Sequence, residues 1–166
     1  MCSDHLSILH RIQPAETRFR LQVVFHAALS GGCARSSGLE YVPARSAVAS
    51  SILHDLRSGK LTTKMGGVAK TALVARLRGC ELACGDATEV ELGASHVYIY
   101  DKVFSERTSE GVAARLAASG ALRVVVSYRT PAAWAKWGLR LQQVGSIAMN
   151  TTGGQKFTAF ICVPAR

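Results

Sequence analysis

Apolar residues cluster in short runs of strand length. Val97-Tyr98-Ile99-Tyr100 is followed at once by Asp101, and Leu122–Tyr128 is rich in β-branched residues. Phe157–Val163 forms a third run, closed by Pro164, and Glu81-Leu82-Ala83-Cys84 a shorter fourth, ended by Gly85-Asp86. Runs that are apolar at nearly every position predict strands buried on both faces, as in a sheet sandwiched between helices. Helical spacing alternates with them. Pro43 suits a first helical turn, and Ala44, Val48, Ile52 and Leu56 then repeat along one face. Leu73, Val74 and Leu77 mark another helix, ending at Gly79. Val112, Ala113, Leu116 and Ala117 mark a third, stopped by Gly120, with Ser105 or Thr108 as its cap. Trp134 and Trp137 lie on a short amphipathic stretch after Pro131, and Ser58–Gly67 predicts a mobile loop.

Alternating strands and helices imply an α/β fold with a mostly parallel, doubly wound sheet. The last third breaks the rhythm. Leu141–Met149 and Phe157–Val163 are separated only by Asn150-Thr151-Thr152-Gly153-Gly154-Gln155, a turn composition, which predicts a C-terminal antiparallel hairpin.

The chain has 166 residues, enough for one sizeable core and too few for two ordinary domains, so a single domain over 1–166 is expected. No apolar run approaches the ~20 residues that cross a bilayer. Met1–Ile12 mixes Asp4, His5, His10 and Arg11 with its apolar residues and lacks a secretory signal's long apolar stretch. A soluble intracellular protein with no membrane partner is expected. Cys2, Cys33, Cys80, Cys84 and Cys162 form no CxxC pair and no zinc spacing; they read as reduced thiols in or near the core, and no metal is expected.

The net charge of +9 is uneven. Residues 1–80 hold eleven Lys and Arg against four acids, whereas residues 81–166 hold nine against seven. This bias fits a polyanionic partner, such as DNA met non-specifically through the basic N-terminal half, or simply a solubilising surface.

Chemistry is suggested by acids at strand ends. Gly38-Leu39-Glu40-Tyr41 follows the turn Gly31-Gly32-Cys33 and predicts a short strand ending in an acid. A carboxylate there can accept hydrogen bonds from the vicinal hydroxyls of a nucleoside. Asp86 and Asp101 end two further strands, and ligands of open α/β sheets lie outside the carboxyl ends of the strands. Asp86 could accept from an adenine amino group or form an Asx turn. Lys64-Met65-Gly66-Gly67-Val68-Ala69-Lys70-Thr71 has some features of a P-loop, but Ala69 replaces the glycine before the lysine and no apolar strand precedes it. The five histidines follow no catalytic motif.

A parallel sheet finished by an antiparallel hairpin resembles the Rossmann-like class I S-adenosylmethionine methyltransferase fold. The series Gly85-Asp86, His96-Val97-Tyr98-Ile99-Tyr100-Asp101-Lys102-Val103-Phe104-Ser105, Leu122–Tyr128 and Gly153-Gly154-Gln155-Lys156-Phe157-Thr158-Ala159-Phe160 resembles the catalytic domain of the disruptor-of-telomeric-silencing family. These are the non-SET enzymes that methylate a lysine, of the lysine seventy-nine type, on the globular core of histone H3. The upstream run from Gln22 to Arg45, with Gly38-Leu39-Glu40, is similar to that family's first helix and second strand and favours helix for the otherwise ambiguous Phe19–Phe25.

The resemblance implies a nuclear histone-lysine methyltransferase using S-adenosylmethionine, with histone H3 in the nucleosome as partner. It implies Glu40, Gly85, Asp86 and Asp101 as cofactor-binding residues and Tyr100, Asp101 and Phe104 beside the methyl-transfer centre. Thr152, and Phe160 or its neighbour Ala159, fall near the lysine channel, and Phe104, Phe160, Tyr128 and Trp134 are the aromatics available to wall it. Residues 1–19 depart from the family. Leu6-Ser7-Ile8-Leu9 stands for the first strand, and Ala15–Arg20 occupies the place of the glycine-rich cofactor loop, with no glycine before Gly31. Side chains there would crowd a cofactor and resist positive φ. Two alternatives follow: a domain that kept the fold without the cofactor, or a class I methyltransferase with a nucleic-acid or small-molecule acceptor.

Overall fold

The computed structural model describes residues 5–10, 20–29, 33–60, 67–150 and 156–165. Seven strands, β1 (His5–His10), β2 (Arg35–Glu40), β3 (Cys80–Cys84), β4 (His96–Tyr100), β5 (Val124–Ser127), β6 (Leu141–Asn150) and β7 (Lys156–Pro164), form one sheet in the order β3-β2-β1-β4-β5-β7-β6. β1 to β5 pair in parallel, and β7 runs antiparallel to both β5 and β6. The sequence expectation of a mostly parallel sheet closed by an antiparallel hairpin therefore holds. Leu6–Leu9 does lie in the first strand, between β2 and β4.

Among the described residues five α-helices connect and cover the sheet: α1 (Arg20–Leu29), α2 (Pro43–Arg57), α3 (Gly67–Leu77), α4 (Glu106–Ala118) and α5 (Pro131–Ala135). Phe19–Phe25 resolves as helix from Arg20 onward. Pro43 opens α2, where its missing N–H leaves no bond unmade. Ser105 caps α4, its hydroxyl accepting from the Thr108 N–H at 3.1 Å. Thr130 likewise caps α5 through the Ala133 N–H. The predicted loop Ser58–Gly67 overlaps residues 61–66, and the hairpin turn overlaps 151–155; both segments lie outside the described residues.

Two apolar clusters sandwich the sheet. On one face Val97, Ile99, Val125 and Cys162 meet Val112, Ala113 and Leu116 of α4 and Trp134 of α5. On the other, Val24 and Ala28 of α1, Leu53 of α2 and Leu77 of α3 pack with Cys80. α1 lies close to β2: a Cβ on Gly38 would come within 2.9 Å of both Val24 Cγ2 and Leu82 Cδ2. Two sequence readings need correction. The buried side of α2 carries Ser46 and Leu53, while Val48 is 51% exposed, because the helix presents a face rotated from the apolar stripe. The run in β5 is also not buried on both sides. Val125 and Ser127 are fully buried, but Val124 and Val126 are only half-buried on the side of α1.

Candidate functional site

Parallel registry sets the site. His10 of β1 lies level with Glu40 of β2 and Tyr100 of β4, and Glu40 lies level with Cys84 of β3. Four strands thus end together at one edge of the sheet. Gly85 joins two of those ends, its N–H donating to the Glu40 carbonyl at 3.0 Å.

Glu40 ends β2 with a mostly buried side chain. Its Oε1 accepts from the Val42 N–H at 2.9 Å and lies 3.9 Å from Arg45 Nη1. The bend from β2 into α2 places the Arg45 side chain here, 10% exposed. Asp86 forms the Asx turn that was the alternative to ligand binding: its Oδ1 accepts from the Thr88 N–H and hydroxyl, both at 2.8 Å. Asp86 nevertheless lines a hollow of about 520 Å³ with Thr88, Glu89, Ser105, Arg107, Thr108, Glu110 and Gly111. Glu40 stands at the same edge but outside that hollow. The segment 11–19 between β1 and α1, which includes most of the expected cofactor loop, lies outside the described residues.

The residues expected at the methyl-transfer centre separate by strand parity. Asp101 continues the inward side of Val97 and Ile99 and is fully buried. The Ser127 hydroxyl donates to its Oδ2, and the Tyr128 N–H to its Oδ1 at 3.0 Å. The Trp134 Nε1–H and the Arg129 N–H in turn donate to Ser127 Oγ at 2.8 and 2.9 Å. Burial pushes the Asp101 carboxyl above its ordinary range, against the pull of these bonds and of Arg129. As placed, this carboxylate ties β4 to β5 and α5 and faces the core. Phe104 is buried in the same cluster, and Phe160 packs against it.

Tyr100 points the other way, into an aromatic group that the sequence did not assemble. Its ring meets Tyr128 edge-on at 5.2 Å; Tyr128 also meets Phe157 at 6.1 Å and Tyr98 at 6.2 Å. The Tyr98 and Tyr128 hydroxyls are 2.9 Å apart, and burial followed by that bond pushes the Tyr98 phenol up. Lys102 Nζ sits 4.8 Å from the Phe157 ring centre. The four aromatics read from the sequence as one wall are therefore divided. Tyr128 stands on the α1 side, while Phe104, Phe160 and Trp134 belong to the opposite cluster. Thr152 lies outside the described residues. Arg45 and Phe157 were missed; the available signal was Arg45 three residues after Val42, one turn into a helix that starts beside Glu40.

The donor set suits a nucleoside, with carboxylates after β2 and β3 able to accept from hydroxyl and amino groups. Among the described residues no group of three His, Cys, Asp or Glu side chains could hold a metal ion. No described helix is long and apolar enough to cross a membrane.

This sheet order, with its single reversed strand and helices on both faces, is the Rossmann-like class I methyltransferase fold. Particular solved structures carry it. A Listeria monocytogenes protein of uncharacterised role superposes with a TM-score of 0.65 at 8% identity, over 99% of this chain and 63% of that one. A Streptococcus pneumoniae protein provisionally assigned as a tRNA (m1A22) methyltransferase gives 0.62 at 8%, over 99% and 64%. Magnesium protoporphyrin IX methyltransferase (ChlM) from Synechocystis PCC 6803 with bound S-adenosylmethionine gives 0.60 at 9%, over 96% and 69%. The chain thus spans less than two thirds of the length of the first two. At these identities the likeness establishes the fold alone. No family model matches the chain, and no curated protein matches it.

Proposed function

We propose that this chain is a class I methyltransferase that uses S-adenosylmethionine and methylates a nitrogen acceptor beside the carboxyl ends of β4 and β5. The observation that carries this reading is the common level of Cys84, Glu40, His10 and Tyr100 in a sheet of this order, with acids following β2 and β3. The ChlM structure, solved with the same cofactor, supports the choice of ligand. Glu40 would hold the sugar hydroxyls, and Asp86 the adenine amino group. When bound, the cofactor supplies an electrophilic methyl group on a sulfonium centre.

The protein's share of the work is alignment and exclusion of water. In-line displacement requires the acceptor in near contact with the donor carbon. An amine acceptor must also be neutral, although a lysine's ordinary pKa is ~10.4. Desolvation among Tyr100, Tyr128 and Phe157 would lower it.

On the family resemblance, the acceptor we propose is a lysine on the globular core of histone H3 in the nucleosome, which places the protein in the nucleus. A second reading, a nucleic-acid acceptor, is favoured by one observation. Lys102 stands over Phe157 at the aromatic edge, where a base could stack beside a cation that meets phosphate. The tRNA assignment of the Streptococcus neighbour is consistent with it.

Calorimetry with S-adenosylhomocysteine tests the cofactor assignment. Glu40→Gln is expected to abolish binding while the melting transition persists; unchanged affinity in that variant overturns the assignment. Labelled-methyl transfer to nucleosomes against free RNA then decides the acceptor.

A further inference from the structure

Arg45 poses a problem that the fold alone does not explain. Its side chain is nine-tenths buried, yet Nη1 has no hydrogen-bond partner. Burying a guanidinium nitrogen without a bond is unfavourable, and native structures rarely leave such a donor unmet. The nearest carboxylate oxygen, Glu40 Oε1, is 3.9 Å away, too far for a hydrogen bond. Oε1 is also held by the Val42 N–H, which fixes the carboxylate in place. The gap has the span of one bridging atom. An oxygen about 2.8 Å from each group would subtend about 90° between the two bonds, an acceptable arrangement for a hydroxyl that donates one and accepts the other.

We propose that Arg45 and Glu40 form a two-part clamp for the vicinal diol of a nucleoside, with Glu40 accepting a hydroxyl proton and Arg45 Nη1 donating to a hydroxyl lone pair. The proposal rests on the cofactor reading above and adds a specificity-determining residue to it. The pair together is neutral, so it selects an uncharged hydroxyl over a phosphate: Glu40 would repel a phosphorylated sugar, and Arg45 alone would welcome one. Position also matters. Arg45 lies in the first turn of a 15-residue helix whose start follows Glu40 by three residues, so donor and acceptor are fixed by one short stretch of backbone.

Calorimetry on the full chain tests this with two probes, S-adenosylhomocysteine and its analogue lacking both ribose hydroxyls. Arg45→Met should weaken binding of the first about ten- to a hundredfold, the range for loss of a charged hydrogen bond. It should weaken binding of the analogue far less, because the analogue never made that bond. Arg45→Lys keeps the charge beside Glu40 but moves the donor. It is expected to fold as the native chain does and still lose discrimination between the two probes. Native discrimination retained by Arg45→Lys, or equal weakening of both probes in Arg45→Met, would overturn the clamp and leave the cofactor assignment standing. If the native chain binds neither probe, the cofactor assignment falls and the clamp falls with it.

Discussion

Asp101 shows how one residue's role turns on which side of a strand it follows. Its place at the end of β4 made it a candidate for the cleft, yet it shares parity with Val97 and Ile99 and so turns to the core. That parity was legible in His96–Tyr100 itself, since alternate positions face opposite sides. What the sequence could not supply was the pair of partners Ser127 and Tyr128, contributed 26 and 27 positions later, with Trp134 bonded in turn to Ser127. Burial raises the folded carboxyl above its unfolded value. Between those two values the native state binds more protons than the unfolded one, so stability should fall as pH rises through that window. Asp101→Asn should remove this slope and keep the fold. Its Oδ1 can still accept from the Tyr128 N–H, but Ser127 Oγ already accepts from Trp134 Nε1–H and Arg129 N–H and has no lone pair left for the new amide, so the variant should lose about 1–3 kcal/mol. Asp101→Ala should cost about 2–4 kcal/mol by orphaning these donors. Urea denaturation from about pH 4 upward checks both, and an undiminished slope in Asp101→Asn would assign the titration to another group.

At the scale of elements, the turn between α3 and β3 is a tight join. A Cβ on Gly79 would lie 2.5 Å from the Ala34 carbonyl oxygen, a backbone atom that cannot move aside. The Gly79 carbonyl also accepts from Ser36 N–H at 2.9 Å, fixing where β2 begins beside β3. Gly79→Ala is therefore expected to cost about 1–3 kcal/mol. Gly120→Ala, after α4, meets nothing within 4 Å and should change stability by under about 0.5 kcal/mol. Equal shifts in denaturation midpoint for the two would contradict this account. Sequence reading placed a helix stop at each glycine but could not rank them, because the clash at Gly79 comes from Ala34, a distant residue. The same limit explains the α2 stripe and the half-covered face of β5. Periodicity reports which positions are apolar, whereas coverage depends on where neighbouring helices lie. Strands rich in Val and Ile, the cap at Ser105 and the direct hairpin were legible because their causes are local; the cap at Thr130 was not read, although its cause is equally local. The aromatic group at Tyr100 was not, since it joins β4, β5 and β7 through the pairing of Ser127 with Phe160 and its neighbours.

For the molecule as a whole, the question is what the net charge of +9 does. Several described arginines already bond to backbone carbonyls. Arg57 donates to the carbonyls of Leu77, Arg78 and Cys80, and Arg76 to that of Leu29. Arg115 donates to Thr88 and Arg129 to Phe104, while Arg45 is buried beside Glu40. Arg35 and Lys60 pair with Glu81 and Asp55 at the surface, where such pairs contribute little and open readily. A bond to a neutral carbonyl leaves the charge in place but fixes where the guanidinium stands, so these arginines are less free to move onto a phosphate backbone. A polyanionic partner, whether nucleosomal DNA or RNA, should release counterions in proportion to the contacts made, with log K falling about 0.9 per contact per decade of salt on duplex DNA. Nine contacts would give a slope near −8; the engaged arginines lead us to expect about −3 to −4, hence a loss of roughly a hundredfold between ~50 and ~200 mM salt. Fluorescence titration of duplex DNA across that range measures the slope. A value near zero would make the basic surface a solubilising one and remove the electrostatic argument for a nucleosomal or nucleic-acid partner. A value near −8 would mean that the arginines bonded to carbonyls do not limit the number of phosphate contacts.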